Sequence, residues 1–166
     1  MKKMLLLMLI PLLGIAQTPK SLVNDYLAKQ EQKKQLHLEA INKAIDYQNI
    51  TRNYFEYKPL VLDEKLTKEA QKWAHYLAIK NKVEHSTKKD GQGELVFYAP
   101  KTWFKDTTNL MINASVFWVL SDNDIERLTT EQVLCKKCDK IGFGIASSRD
   151  TYFVVAKYNK MADFNN

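Results

Sequence analysis

The side chains best able to bind a metal or act as a nucleophile are three histidines and two cysteines. In chain order they are His37, His75, His85, Cys135 and Cys138. His85 is the most informative of them, because it comes shortly after a predicted amphipathic helix that gives it a fixed position. His75 lies on the face of that helix opposite Leu66, and His37 sits at the start of an earlier helix. We expect His37 and His75 to be solvated helix residues.

The two cysteines form the motif Cys135-Lys136-Lys137-Cys138. An even number of cysteines in an exported protein favours a disulfide, although closing so short a loop stabilises only modestly. A redox-active pair is one alternative, because neighbouring lysines lower the pKa of a thiol, but no thioredoxin-like βαβ pattern accompanies it. A zinc site is the other, but it needs about four ligands, and the cysteines with His85 supply too few. We therefore predict a structural disulfide.

The helix that precedes His85 has the clearest pattern in the chain. Asp63 stands at the N-cap position, where its carboxylate can accept from free backbone N–H groups. Lys80 and Lys82 suit the negative C-terminal end, and Asn81 tolerates the left-handed conformation that often stops a helix. The sequence predicts a helix from about Asp63 to Asn81. Its apolar stripe has the 3.6-residue period of a helix and consists of Leu66, Ala70, Trp73, Ala74, Leu77 and Ala78.

Weaker patterns predict the remaining helices. Residues 18–34 have the character of an N-terminal helix or linker, and a tyrosine-rich connector is predicted for 49–58. A third helix is expected around 110–118 and a fourth over about 125–135. Between the N-terminal segment and the connector, a first helical face is marked by Leu38, Ile41, Ala44 and Ile45.

The strands are predicted from short apolar runs that are bounded by turn residues. Glu94–Ala99 is a strand candidate ended by Pro100, and 140–147 with 151–160 should form a hairpin around 148–150. The large aromatic residues are expected to build the core rather than bind a ligand. They are Trp73, Phe117, Trp118, Phe143, Phe153 and Tyr158.

The first 16 residues have the three parts of a signal peptide of bacterial type. Lys2 and Lys3 precede an apolar run from Met4 to Leu13, and Gly14-Ile15-Ala16 places small residues at the cleavage site. The apolar run is too short for a transmembrane helix, which needs about 20 residues, and no lipobox cysteine follows it. We expect cleavage after Ala16 and a secreted or periplasmic protein that has no transmembrane segment.

The composition is that of one small globular domain. Without the leader, 150 residues remain, with 23 basic and 19 acidic side chains, which is long enough for a core. The charges are scattered and form no basic stripe with interleaved aromatic residues, so a nucleic-acid partner is not expected. The mildly basic surface permits contact with an anionic lipid or polysaccharide.

Four motifs, in the same order, resemble those of the CAP superfamily, the SCP domain of cysteine-rich secretory proteins, antigen 5 and pathogenesis-related proteins. The resemblance runs from about Leu38 to Tyr158. It implies an α+β fold, a three-layer α-β-α sandwich with a small antiparallel sheet flanked by helices. The motifs are Glu69-Ala70-Gln71-Lys72-Trp73-Ala74 with His85-Ser86, then Gly93-Glu94, Ile141-Gly142-Phe143-Gly144-Ile145-Ala146 and Phe153-Val154-Val155-Ala156-Lys157-Tyr158.

In this family, two histidines and two glutamates line a cleft that can hold a divalent metal. By its motifs, His85 matches the first histidine and Glu94 the first glutamate. The second glutamate falls at Ser121 and the second histidine at Thr129. In a bacterial variant of the motif, the histidine falls at Asp124 instead. The resemblance therefore implies a degenerate tetrad.

Neighbouring residues could alter this cleft. Gln132 survives from the motif of the second histidine, and Glu131 or Asp124 could supply a substitute carboxylate. No metal site or cofactor is expected, apart from weak zinc binding at His85 and Glu94.

We therefore expect a signal peptide (1–16), an N-terminal extension (17–36), a CAP domain (37–160) and a C-terminal tail (161–166). The expected function is that of a secreted, non-enzymatic binding module for a protein, peptide or lipid. The alternative is a metal-assisted hydrolase that uses His85 and the glutamate of the tetrad. A third interpretation is a thiol-redox protein built on the two cysteines.

Overall fold

The computed structural model describes residues 19–87, 91–104, 107–120 and 124–164. The predicted signal peptide (1–16) therefore lies outside the described residues. The described elements are α1 (Pro19–Tyr54), β1 (Val61–Leu62), α2 (Glu64–Lys80), β2 (Gly93–Pro100), a 3-10 turn (Lys101–Trp103), α3 (Thr107–Val119), α4 (Asp124–Val133), β3 (Lys140–Ser147) and β4 (Thr151–Tyr158).

Helix α1 continues without a break from Pro19 to Tyr54, so the predicted connector over 49–58 is wrong for its first half. The reason is that two polar residues of this stretch bind the chain that follows. Asn49 exchanges two hydrogen bonds with the backbone of Leu60, at 2.7 and 3.0 Å, and Arg52 is fully buried. The described residues divide into two compact units, one that ends at Lys34 and one that begins at Gln35.

Helix α2 has the boundaries and caps that the sequence predicts. The Asp63 side chain accepts from the Leu66 N–H at 2.9 Å, and Asn81 ends the helix with φ 48°. Leu66 and Leu77 of the predicted stripe are buried, as are its alanines at 70 and 74. This helix is fixed by local sequence, which is why the prediction succeeds.

The sheet has the strand order β1-β3-β4-β2. Strands β3 and β4 form the predicted hairpin, and β2 pairs with β4, both antiparallel. β1 pairs parallel to β3 through Val61 and Leu62, so the sheet is mixed rather than purely antiparallel. A two-residue strand is too short to show the alternation that identifies a strand in sequence.

The two faces of the sheet pack against different helices, which gives the expected α-β-α layers. On one face, Val154 and Ala156 join a core with residues of α1, α3 and α4. On the other face, Phe153 and Val155 pack against α2. Because side chains alternate along a strand, Lys157 lies on the same face of the sheet as residues 153 and 155, which is the face covered by α2.

Most of the aromatic residues assigned to the core are indeed buried. Trp118, Phe143, Phe153 and Tyr158 are at most 2% exposed, whereas Phe117 is 45% exposed, so its assignment to the core is wrong. Phe117 instead lies at the surface, 5.6 Å from the Phe97 ring between centroids.

Two buried polar side chains of α1 bind other elements. Gln48 accepts from the Tyr158 hydroxyl at 2.8 Å and donates to the Ser115 hydroxyl at 3.1 Å. Burial raises the pKa of Tyr158, and Gln48 and Arg52 offset this only in part.

Arg52 holds the end of α4. Its guanidinium donates to the carbonyls of Lys58 (2.8 Å), Val133 (2.6 Å), Cys135 (3.0 Å) and Cys138 (2.9 Å). The last carbonyls of a helix have no partner inside the helix and carry its negative dipole end. Arg52 therefore satisfies the carbonyl of Val133, the last residue of α4, and supplies the matching charge from inside the core.

Candidate functional site

The chain after α2 carries His85 to the rim of the sheet. The indole Nε1 of Trp73 donates to the Glu84 carbonyl at 3.1 Å. Asn81 turns the backbone away from the helix axis in the left-handed conformation, as its C-cap role requires. These two features hold the segment beside β2.

Glu94 is the centre of the site, and the structure brings it together with His85. His85 Nδ1 lies 3.0 Å from Glu94 Oε1, and this oxygen also accepts from the Ser86 N–H at 2.8 Å. The other oxygen, Oε2, accepts from the Ser86 hydroxyl at 2.5 Å. The His85 side chain is 63% exposed, whereas that of Glu94 is only 9% exposed.

Lys157 is a member of this site that the sequence analysis missed. Its Nζ lies 2.7 Å from Glu94 Oε2 and 2.7 Å from the Ser86 hydroxyl, and its side chain is 10% exposed. Lys157 and Glu94 are directly opposite each other in the β2–β4 register. The sequence offered one indication of this pair: a lysine stands inside the apolar run of β4, and a buried lysine needs a partner.

The environment of Glu94 favours its charged form. Burial by itself raises the pKa of the carboxyl, but hydrogen bonds from His85, Lys157 and Ser86 outweigh it and lower the pKa to about 2. Glu94 is therefore ionised at neutral pH, and its charge is balanced by the ammonium group of Lys157.

A groove of about 630 Å³ opens beside this ion pair. Ser86, Thr87 and Lys157 line it on one side, and α2 lines the other with Glu69 and Trp73 among others. The groove thus combines an aromatic side chain with charged and hydroxyl groups, a composition that suits a polar or amphipathic ligand.

The predicted cleft positions Ser121, Asp124 and Thr129 are described to different extents. Ser121 lies outside the described residues, and Asp124 begins α4 without a described side chain. The Thr129 hydroxyl donates to the Trp118 carbonyl at 3.1 Å, so it caps the end of α3.

Glu131 and Gln132 occupy other surroundings. Glu131 pairs with Arg127 at 3.3 Å and lines a second groove of about 400 Å³ together with Cys135. Gln132 is buried and hydrogen-bonds the Lys160 carbonyl and the Ala162 N–H at 3.1 and 2.9 Å.

The other two histidines stay apart from the ion pair. His75 is exposed on α2, with its Nε2 3.1 Å from Gln71 Nε2. His37 is half-buried within α1 rather than solvated at a helix start.

Cys135 and Cys138 form a disulfide, as predicted. Both residues are buried and follow the C-terminal end of α4. A negative helix end disfavours a thiolate, whereas redox-active pairs use the positive end. Burial and position therefore favour a structural disulfide over a redox centre.

The residues at Glu94 do not fit a tight divalent-metal site. Each carboxylate oxygen of Glu94 already accepts two hydrogen bonds, and the ammonium group of Lys157 lies 2.7 Å from one of the oxygens. A zinc ion bound there would displace these donors and face the charge of Lys157. Within the described ranges, no group of three His, Cys, Asp or Glu side chains converges on one point.

Comparison with known proteins gives a family match. The sequence profile of the cysteine-rich secretory protein family, CAP, matches residues 45–158. Among curated proteins, no sequence matched. In the part of the chain that the structure describes, no helix combines the length and apolar character needed to cross a bilayer.

Solved structures support the same fold. The crystal structure of NaASP2 with Zn²⁺ is 18% identical, with a TM-score of 0.59 over 75% of this chain and 83% of that one. BmVAL-1 is 18% identical, with a TM-score of 0.60 over 75% and 80%. Venom allergen-like protein 4 of Schistosoma mansoni is 12% identical, with a TM-score of 0.55 over 75% and 89%. At these identities the likeness is one of fold.

Proposed function

The chain belongs to the CAP family, and from this premise we propose that it is an exported, non-enzymatic binding module. The binding surface is the groove beside Glu94, and the partner is a protein, peptide or lipid. The observation that carries the proposal is the ion pair between Glu94 and Lys157. Export rests on the predicted leader, and the disulfide agrees with an oxidising compartment, secreted or periplasmic.

The ion pair argues against hydrolysis at this site. A general base works best when its pKa lies near the working pH, and the pKa of Glu94 is about 2. Metal-assisted hydrolysis would require Lys157 to leave Glu94, which would strand a buried charge. We accordingly expect zinc to bind weakly at His85 and Glu94, with a dissociation constant in the range of about 1 μM to 1 mM.

Zinc calorimetry on the mature protein tests whether the site binds a metal only weakly. We expect weak binding by the wild type and about tenfold tighter binding by Lys157→Met, because the repelling ammonium is gone. Lys160→Met is the matched control, since it removes an equal charge from an exposed position. Submicromolar affinity that is lost in both His85→Ala and Glu94→Ala, together with zinc-dependent peptide or ester hydrolysis, would favour the metal-assisted hydrolase instead.

A library of short peptides and a panel of lipids, each presented to the immobilised mature protein, tests binding. Thr87→Trp should block the groove, and Ser147→Trp is the control on an exposed residue of β3. The proposal requires ligands that the wild type and the control bind and Thr87→Trp does not. Binding that is indifferent to Thr87→Trp, or no binding at all, would reject the groove as the binding surface.

A further inference from the structure

The first four turns of α1, residues 20–34, carry an apolar stripe that faces solvent. Four side chains, each more than half exposed, form it: Leu22, Val23, Tyr26 and Leu27. At about 100° per residue they cover an arc of about 140° on one side of the helix. Solvent-exposed apolar side chains in one contiguous stripe mark an interaction surface more often than scattered ones do.

The charges of this segment are distributed unevenly around the helix. Lys33 and Lys34 lie within the arc of the stripe, and Lys20 and Lys29 lie about 20° beyond its two edges. The two acidic residues, Asp25 and Glu31, lie farther out. Lys34 and Glu31 approach to 3.9 Å, but both side chains are more than 70% exposed, so this pair neutralises little. The apolar side of the helix is therefore also its positive side.

From this coincidence we infer that residues 20–34 form a docking surface for an anionic lipid bilayer. The apolar side chains enter the boundary between headgroups and acyl chains, while lysines extend their ammonium groups to the phosphates. Tyr26 suits the interface, since its ring is apolar and its hydroxyl is polar. The stripe is only two turns long, so the attachment is peripheral and reversible. It does not depend on the groove beside Glu94.

The same pattern disfavours pairing with a second copy through this face. Beyond Leu27, the positions that would continue a helix–helix seam are Gln30, Lys33 and Lys34. A parallel pair of helices would bring equal charges together, whereas a bilayer with anionic headgroups offers the opposite charge.

Vesicle co-sedimentation of the mature chain tests the inference. The probes are vesicles of phosphatidylcholine alone and vesicles of equal parts phosphatidylcholine and phosphatidylglycerol. We expect binding at least about tenfold tighter to the anionic vesicles, weakening as salt rises. Lys33→Gln/Lys34→Gln and, separately, Leu22→Ser/Tyr26→Ser should each weaken it about tenfold or more.

The control is Asn24→Glu/Gln32→Glu, which lowers the net charge by the same amount on the other side of the helix. It should bind almost as well as the wild type. Equal losses in this control and in the double lysine variant would mean that only net charge matters, and would overturn the inference. So would failure to bind anionic vesicles, or self-association in sedimentation velocity that Leu22→Ser/Tyr26→Ser abolishes.

Discussion

Lys157 and Glu94 balance each other's charge where both side chains are nearly buried. A buried ion pair adds little net stability compared with apolar residues, because both ions lose their hydration. Removing one partner is costly, since the other charge stays buried without compensation. Substitution of either residue alone should therefore lower the stability of the protein.

The ionisation of Glu94 predicts a dependence of stability on pH. The carboxyl has an ordinary pKa of 4.5, which applies to the unfolded chain, and a folded-state pKa of about 2. A depressed folded-state pKa contributes stability that is complete above pH 4.5 and is lost as the pH falls toward 2. Urea unfolding of the wild type and of Glu94→Gln between these pH values should show a free-energy difference that shrinks with acidification. A difference that is constant or grows would contradict the assignment.

Arg52 predicts a second effect at this scale. Arg52→Met removes a donor from four carbonyls, including that of Val133 at the end of α4. We expect a loss of at least about 3 kcal/mol in the free energy of unfolding. Arg127→Met, at a side chain that is 69% exposed, should change it by less than about 0.5 kcal/mol. Similar effects of the two changes in urea titrations would show that the buried contacts of Arg52 contribute little to stability.

At the scale of elements, α2 lies directly on the backbone of β3. A Cβ atom at Gly142 would meet backbone atoms of Leu66 and Thr67, and one at Gly144 would meet those of Ala70 and Gln71. Gln71 also bridges to β3, accepting from the Ile145 N–H at 3.1 Å and donating to its carbonyl at 2.7 Å. The glycines set the distance between helix and sheet.

Gly144→Ala should therefore force α2 away from the sheet. Overpacking against backbone, which cannot rotate aside, should lower the free energy of unfolding by about 1–3 kcal/mol or more. Thermal and urea unfolding measure the loss, and Ser147→Ala, at an exposed position of the same strand, is the control. Equal stability of Gly144→Ala and the wild type would mean that the helix can shift at no cost.

The elements that the sequence predicts best are those fixed by neighbouring residues. Asp63 and Asn81 cap α2 through local hydrogen bonds, so their types suffice to place it. The end of α1 was missed because it depends on contacts of Arg52 with residues more than 80 positions away. Lys157 was missed for the same reason, since its partner lies on another strand. Resemblance found His85 and Glu94 but could not show what surrounds them.

At the scale of the whole molecule, the disulfide and the predicted leader are both consistent with export to an oxidising compartment. Material recovered from the medium or periplasm should begin at Gln17 in mass spectrometry, because the predicted leader should be cleaved after Ala16. Thiol titration without reductant should find no free cysteine, since Cys135 and Cys138 are paired. A cytoplasmic protein that retains Met1, or one with two titratable thiols, would contradict export.

The buried amide of Gln132 has a consequence for where the folded unit ends. Two of its partners, the Lys160 carbonyl and the Ala162 N–H, lie past Tyr158, the last residue of the family match. A chain truncated after Tyr158 would keep all four described strands but leave this amide with only its contact to Cys138 Sγ, at 3.5 Å. The Gln132 side chain would then be held less firmly against its neighbour Gly93, which has no room for a side chain there. We therefore expect a chain truncated after Tyr158 to be less stable than one that extends through Ala162, which is itself buried.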